Sequence, residues 1–194
     1  GEGSGLAGPK RFSFGLSLDR WENEYQPSIA GRPVAMAPLE LSRAVALLPD
    51  DGGVVLGTSR TIRRLDRQGQ QRWSVRTGAE VSSVNVSRDG RVVIGAQMDG
   101  TIGWWRADDG KLLLTLFVTI DGKWVLWTPD GYYDAAAGAE ALLGWHVNRA
   151  DGKGVDFFSI GKFRDKYYRP DVIDRVLELR DPQLALAQAD QQRR

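Results

Sequence analysis

Asp134, Glu140 and His146 are the side chains best suited by type and spacing to acid–base chemistry, and His146 is the single histidine of the chain. Two carboxylates held across a cleft can protonate a leaving group and activate water, and an imidazole beside them can move the proton; that is hydrolase equipment. Each residue also has a plainer use. Asp134 follows the Asp130-Gly131 turn, where an aspartate ordinarily accepts hydrogen bonds from turn amides. His146 lies in Leu142-Leu143-Gly144-Trp145-His146-Val147, an aromatic strand in which a lone histidine acts as a hydrogen-bonding strut. The plainer uses are favoured, and the hydrolase is kept as the alternative.

Composition removes most other chemistry. The chain has no cysteine, which excludes disulfides, thiolate zinc sites and a cysteine nucleophile. One histidine does not build a histidine-rich metal cage. The spaced acids of a calcium loop are absent, and Gly152-Lys153-Gly154 has neither the spacing nor the following helix of a phosphate loop. No metal and no cofactor is expected. Lys+Arg number 26 against 25 Asp+Glu, spread along the sequence, so neither nucleic acid nor an anionic membrane is an expected partner. No apolar run approaches the roughly 20 residues that span a bilayer, and no leader pattern opens the sequence. The chain reads as soluble and cytoplasmic, with residues 1–10 a linker or a cut point within something longer.

The elements that must position these residues are short strands. Seven Asp-Gly pairs, at Asp51, Asp89, Asp99, Asp109, Asp121, Asp130 and Asp151, separate short apolar runs, and Asp-Gly in that setting signals a tight hairpin. The pairs at 51, 89 and 130 recur with a period near 40 residues. Val54-Val55-Leu56-Gly57 is echoed by Val92-Val93-Ile94-Gly95, and Thr61-Ile62 by Thr101-Ile102. Four short strands per repeat of that length make a propeller blade.

The expected fold is therefore all-β, a β-propeller of WD-repeat-like blades with a short C-terminal helix. Its divisions are a partial N-terminal blade over 11–41, blades over 42–79 and 80–121, a divergent closing blade over 122–165 and a helical extension over 166–194. Phe12 to Leu18 alternates as a half-buried strand, and the Val-Val-Leu and Val-Val-Ile runs read as strands covered on both faces. Closed rings hold about four to eight blades, so either upstream blades or a second copy completes this one. Pro170-Asp171 starts a helix with Val172, Ile173, Val176 and Leu177 on one face, and Asp181-Pro182 stops it. The Gln/Ala-rich tail can be helical, but its scarce apolar surface predicts an exposed extension.

Aromatic residues divide by setting. Trp104, Trp105, Trp124, Trp127 and Trp145 fall in predicted strands, where large rings pack between sheets. Trp21 and Tyr25 stand in a polar loop and are candidates for contact with a partner. Tyr167-Tyr168-Arg169 is a cluster of the type enriched at interfaces; either it contacts a partner or it seats the C-terminal helix.

Trp124-Val-Leu-Trp-Thr-Pro-Asp-Gly-Tyr-Tyr-Asp134, Gly144-Trp-His-Val-Asn-Arg149, Asp156-Phe-Phe158, Phe163-Arg-Asp165 and Tyr168-Arg-Pro-Asp-Val-Ile173 closely resemble the C-terminal segment of bacterial WD-repeat propeller proteins, many of them fused to or encoded with caspase-like peptidase domains. The resemblance covers most of residues 20–180. It implies a propeller that scaffolds or regulates a protein or peptide partner, a caspase-like peptidase among the candidates, with chemistry located in another domain. The chain departs from ordinary WD repeats: no Gly-His opens a blade, Leu65-Asp66 or Trp105-Arg106 stands at the Trp-Asp place, and Ala135-Ala136-Ala137 replaces a Ser-Pro-type turn. A non-catalytic binding module is the expectation. The alternatives are a hydrolase using Asp134, Glu140 and His146, a part of a caspase-like protease supplied in trans, and a half-propeller that self-assembles.

Overall fold

The structure is a computed structural model that describes residues 18–49, 52–141, 144–148 and 155–193. Residues 1–10 and all of the expected Phe12–Leu18 strand except Leu18 lie outside the described residues, as do the Asp51-Gly52 pair in part and the Asp151-Gly152 pair. The chain divides into two compact units, residues 1–111 and 112–194.

Residues 1–111 stack three antiparallel sheets. The first is small: β1 (Leu18–Asp19), β2 (Ser28–Ile29) and β3 (Arg32–Pro33). A four-stranded meander follows, β4 (Ser42–Leu47), β5 (Val54–Thr58), β6 (Thr61–Leu65) and β7 (Gln71–Arg76). Then come β8 (Val81–Val86), β9 (Val92–Gln97) and β10 (Thr101–Arg106). Alternation assigns the faces of the meander. Val45, Leu47, Val54, Leu56 and Leu65 meet Ile29 and Val34, while Gly57 and Ile62 turn the other way. A Cβ on Gly57 would lie 2.7 Å from Val81, and one on Gly95 would lie 3.2 Å from Ile62, so β8 and β9 close onto that second face. Every residue of β5 is buried, as a strand covered on both sides requires.

Among the described residues the Asp-Gly pairs do mark turns, though not as two-residue hairpins. Gly90 donates to Ser87 O and Gly100 to Gln97 O, so each pair ends a four-residue turn, with its glycine at φ +71 and +86. The aspartate is there because its Oδ1 accepts the backbone N–H two residues on, at Arg91, Thr101 and Lys111 in successive turns.

In residues 112–194, β11 (Leu112–Val118), β12 (Trp124–Trp127) and β13 (Tyr133–Ala135) form an antiparallel run. Trp124–Trp127 pairs directly with Leu112–Val118 across the Asp121-Gly122 turn. A hairpin of β14 (Gly144–Asn148) and β15 (Val155–Ser159) comes next. Three helices close the chain: α1 (Arg164–Tyr167), α2 (Pro170–Leu179) and α3 (Pro182–Gln192). Pro170 stands in the first turn of α2, and Arg180 ends it at φ +52. Asp181 caps α3 by accepting from Gln183 and Leu184.

One expectation holds in its coarser form and one is corrected. The chain is mostly β with antiparallel sheets and a few short helices rather than all-β with one; the described strands of neither unit close into a ring, in keeping with the partial propeller expected. The tail is no exposed extension. α3 packs along α2 with Ala185 and Ala189 buried, because small side chains let two helix backbones approach without a large apolar stripe.

Candidate interaction surface

The most exposed of the aromatic candidates is Tyr25, at 55%. It sits on a loop held down by Ser42: the Ser42 hydroxyl donates to Trp21 O, and the Glu24 N–H donates to that hydroxyl at 3.2 Å. The backbone N–H of Asn23 reaches Ser42 O at 3.0 Å. Tyr25 thus stands on a fixed base, beside an open groove of about 720 Å³ lined with Gln26, Pro33, Val34, Met36 and Leu39.

The far wall of the groove is the turn Ala37-Pro38-Leu39-Glu40, in which the Glu40 N–H donates to Ala37 O at 3.1 Å. Proline suits its second position. The third demands positive φ and ordinarily takes glycine, yet it holds Leu39, at φ +59 and 76% exposed. A bulky residue in that region is strained, and the surroundings must hold it there.

Glu40 does the holding. Its side chain is 1% exposed; Oε2 accepts the Ala37 N–H at 3.0 Å, and Oε1 accepts from Thr61 Oγ1 at 2.7 Å and from Arg63 Nη2 at 2.6 Å. Arg63 then donates through Nη1 to Ala35 O at 2.8 Å. The β5–β6 hairpin therefore grips the 35–40 segment from beneath at two points. Burial pushes the Glu40 carboxyl up, but the hydrogen bonds from Thr58, Thr61, Ala37 and Arg63 together outweigh it and hold the group at about 2.

The other predicted residues fall elsewhere. Trp21 is half-buried and packs against the Ile29–Leu65 cluster. Tyr167, Tyr168 and Arg169 lie in the second unit, where they seat the helices. Tyr167 meets the ring of Tyr132 at 5.8 Å, and Tyr168 meets Tyr133 edge-on at 5.5 Å with the Arg164 guanidinium 3.8 Å above it. Arg169 is only 7% exposed.

Asp134 Oδ1 accepts the Ala135 N–H at 2.8 Å. Glu140 pairs with Arg164 and accepts from the Tyr133 hydroxyl at 3.3 Å. Burial raises the Tyr133 pKa above that of an ordinary phenol. The His146 backbone pairs with Phe157 in the β14–β15 hairpin; its side chain lies outside the described residues, as does that of Trp145. Among the described residues no group of three or more acids or histidines is placed to hold a metal ion, and no helix is long and apolar enough to cross a membrane.

Leu39, Glu40 and Arg63 were not among the residues singled out from sequence. Pro38 in front of Leu39 signals the turn, but nothing local pairs Glu40 with an arginine on another strand.

No family model matches the chain, and no curated protein matches it. Among solved structures the chain is similar to the crystal structure of BamB from Moraxella catarrhalis, at 21% sequence identity with a TM-score of 0.37, over 49% of this chain. The chain covers 34% of that protein's length.

Proposed function

We propose that the chain is a non-catalytic protein-interaction scaffold: the C-terminal part of a WD-repeat-like propeller that recruits or regulates a protein or peptide in the cytoplasm, a caspase-like peptidase among the candidates. The observation that carries this reading is the groove between Tyr25 and Leu39. A leucine held at φ +59 and 76% in water contributes nothing to folding that a glycine would not contribute better, so its use lies outside the fold. The local bonds of Asp134 and Glu140 support the non-catalytic side of the proposal. The repeated stacking of short meanders supports the propeller side.

The test is a calorimetric titration of the chain with a caspase-like peptidase domain, run with wild type, Tyr25→Ala and Leu39→Gly. Binding that both substitutions weaken without lowering the Tm is the expected result. Binding indifferent to both would remove the groove from the proposal. Ester or peptide hydrolysis by the chain alone, lost in Asp134→Asn at unchanged Tm, would favour the hydrolase instead.

A further inference from the structure

Residues 60–76 hold six arginines and a single carboxylate, Asp66. The fold uses two of the arginines: Arg63 pairs with Glu40, and Arg64 donates to Ala107 O. Asp66 is engaged as well, since its Oδ1 accepts the Gln68 and Gln70 N–H groups of the β6–β7 turn at 2.9 Å. The side chains of Arg60 and Arg76 are exposed and have no partner among the described residues. Arg72 is 64% exposed and comes no nearer to Asp66 than 3.9 Å. Arg32 lies exposed beside the same turn, its Cβ 3.7 Å from where a Cβ on Gly69 would stand. The next carboxylate along the chain, Glu80, is taken by Arg43 at 3.0 Å.

This charge borders an open backbone edge. Among the described strands β7 pairs only with β6. The Thr77 N–H donates to Arg60 O at 3.0 Å, so by register Val75 and Trp73 turn their backbone groups toward β6, while Ser74 and Arg76 turn theirs away. The strand is held from its other face, where a Cβ on Gly110 would lie 2.8 Å from Trp73 and 3.0 Å from Val75. Ser74 and Arg76 share the opposite face, and both are exposed.

We infer that the free edge of β7 is a docking site for an acidic, extended segment of a partner protein, which adds as an antiparallel fifth strand with carboxylates opposite Arg76 and beside Arg72. The edge offers N–H and C=O together, a pattern that an extended peptide matches and a phosphate backbone, all acceptor, does not. The arginines stand at both ends of the strand, Arg72 and Arg32 by the turn and Arg76 and Arg60 at the far end, so alternate acids on one face of an added strand meet them. The same charges oppose a second copy, which would set arginine against arginine. This surface is separate from the groove and does not depend on it.

The test uses the full chain and the peptide Glu-Thr-Glu-Thr-Glu-Thr-Glu, blocked at both ends, with backbone amide exchange read by NMR and affinity by calorimetry. One control peptide carries lysine for glutamate. A second is N-methylated at every glutamate, which keeps the charge and removes the N–H groups that face β7. The protein variants are Arg76→Glu and Ser74→Pro, the latter removing an outward N–H and no ladder bond, as an edge strand tolerates. The peptide should slow exchange at the Ser74 and Arg76 amides of wild type. Binding should fall about tenfold in Arg76→Glu and vanish in Ser74→Pro, and neither control peptide should bind. If Ser74→Pro unfolds, Arg76→Glu and the methylated peptide decide the matter. The inference is overturned by wild type that ignores the acidic peptide, by equal binding of the methylated peptide or of Arg76→Glu, by protection that falls away from β7, or by Ser74 and Arg76 amides already protected in the chain alone. Oligodeoxythymidylate that protects the same two amides would overturn it in favour of nucleic acid. Tyr25→Ala and Leu39→Gly lie off β7 and should bind the peptide as wild type does, so this reading and the groove fail separately.

Discussion

Arg63 Nη2 donates to Glu40 Oε1 at 2.6 Å with both side chains at least 95% buried, and this ion pair joins the groove wall to the sheet beneath it. Removing one partner of a buried pair strands the other charge, at a cost of about 3–5 kcal/mol. Arg63→Ala should lower the unfolding free energy by that amount in urea at neutral pH. The pH dependence has a definite sign. Glu40 titrates at about 2 in the fold against an ordinary 4.5, so its contribution is complete above about 4.5 and is lost as the pH falls toward 2. The stability gap between wild type and Glu40→Gln should therefore narrow as the pH is lowered from 5 toward 2. A gap that stays constant over that range would show that Glu40 is not held as a buried carboxylate.

Leu39→Gly should stabilise the chain. Positive φ costs a non-glycine residue about 1–3 kcal/mol, and glycine returns about 0.5–1 kcal/mol of that through its freer unfolded state. Little apolar burial is lost at 76% exposure. A rise of about 0.5–1 kcal/mol, read as a shift in the urea midpoint at unchanged slope, is expected. A fall would mean that Leu39 packs in a way its exposure conceals.

How far the fold could be read from sequence depended on whether its cause was local. The strands of the two central meanders were visible because an Asp-Gly turn and an apolar run are each contained within a few residues; Val54-Val55-Leu56 announced a doubly covered strand by itself. The Glu40–Arg63 pair had no such signature, being a contact between residues 23 apart whose partners look like ordinary surface charges. Leu39 violates the residue preference of its turn, so preference pointed away from it. The packing of α3 has no apolar stripe to announce it, because Pro182, Ala185 and Ala189, with arginine bonds to Asp190 and Gln192, provide the contact. His146 and the aromatics around it drew attention by type, yet residue type alone places no neighbour beside them.

Gly110 and Gly122 separate backbone strain from packing. They have nearly the same φ, +76 and +80. A Cβ on Gly110 would come within 2.8 Å of the Trp73 ring, while one on Gly122 would meet nothing within 4 Å. Gly122→Ala should cost about 1 kcal/mol of strain alone. Gly110→Ala should cost a further 1–3 kcal/mol or so, because the buried indole must move. Equal losses in chemical denaturation would mean that Trp73 shifts freely and does not pin the β10–β11 turn.

Trp73 Nε1 and Arg64 Nη1 both donate to the carbonyl of Ala107, at 2.7 and 2.9 Å, and Ala107 is fully buried. A carbonyl has two lone pairs, so removing either donor leaves it satisfied. Trp73→Phe should cost about 1 kcal/mol for the lost bond plus a modest packing loss, and Arg64→Ala should cost about the same. Removing both leaves a buried acceptor with neither donor, a penalty that neither single change contains. The double variant should therefore lose about 1–2 kcal/mol more than the sum of the singles. Strict additivity in a urea double-mutant cycle would mean that water reaches Ala107 once the donors are gone, and the turn would then be held by the Trp73 ring contact rather than by its hydrogen bond.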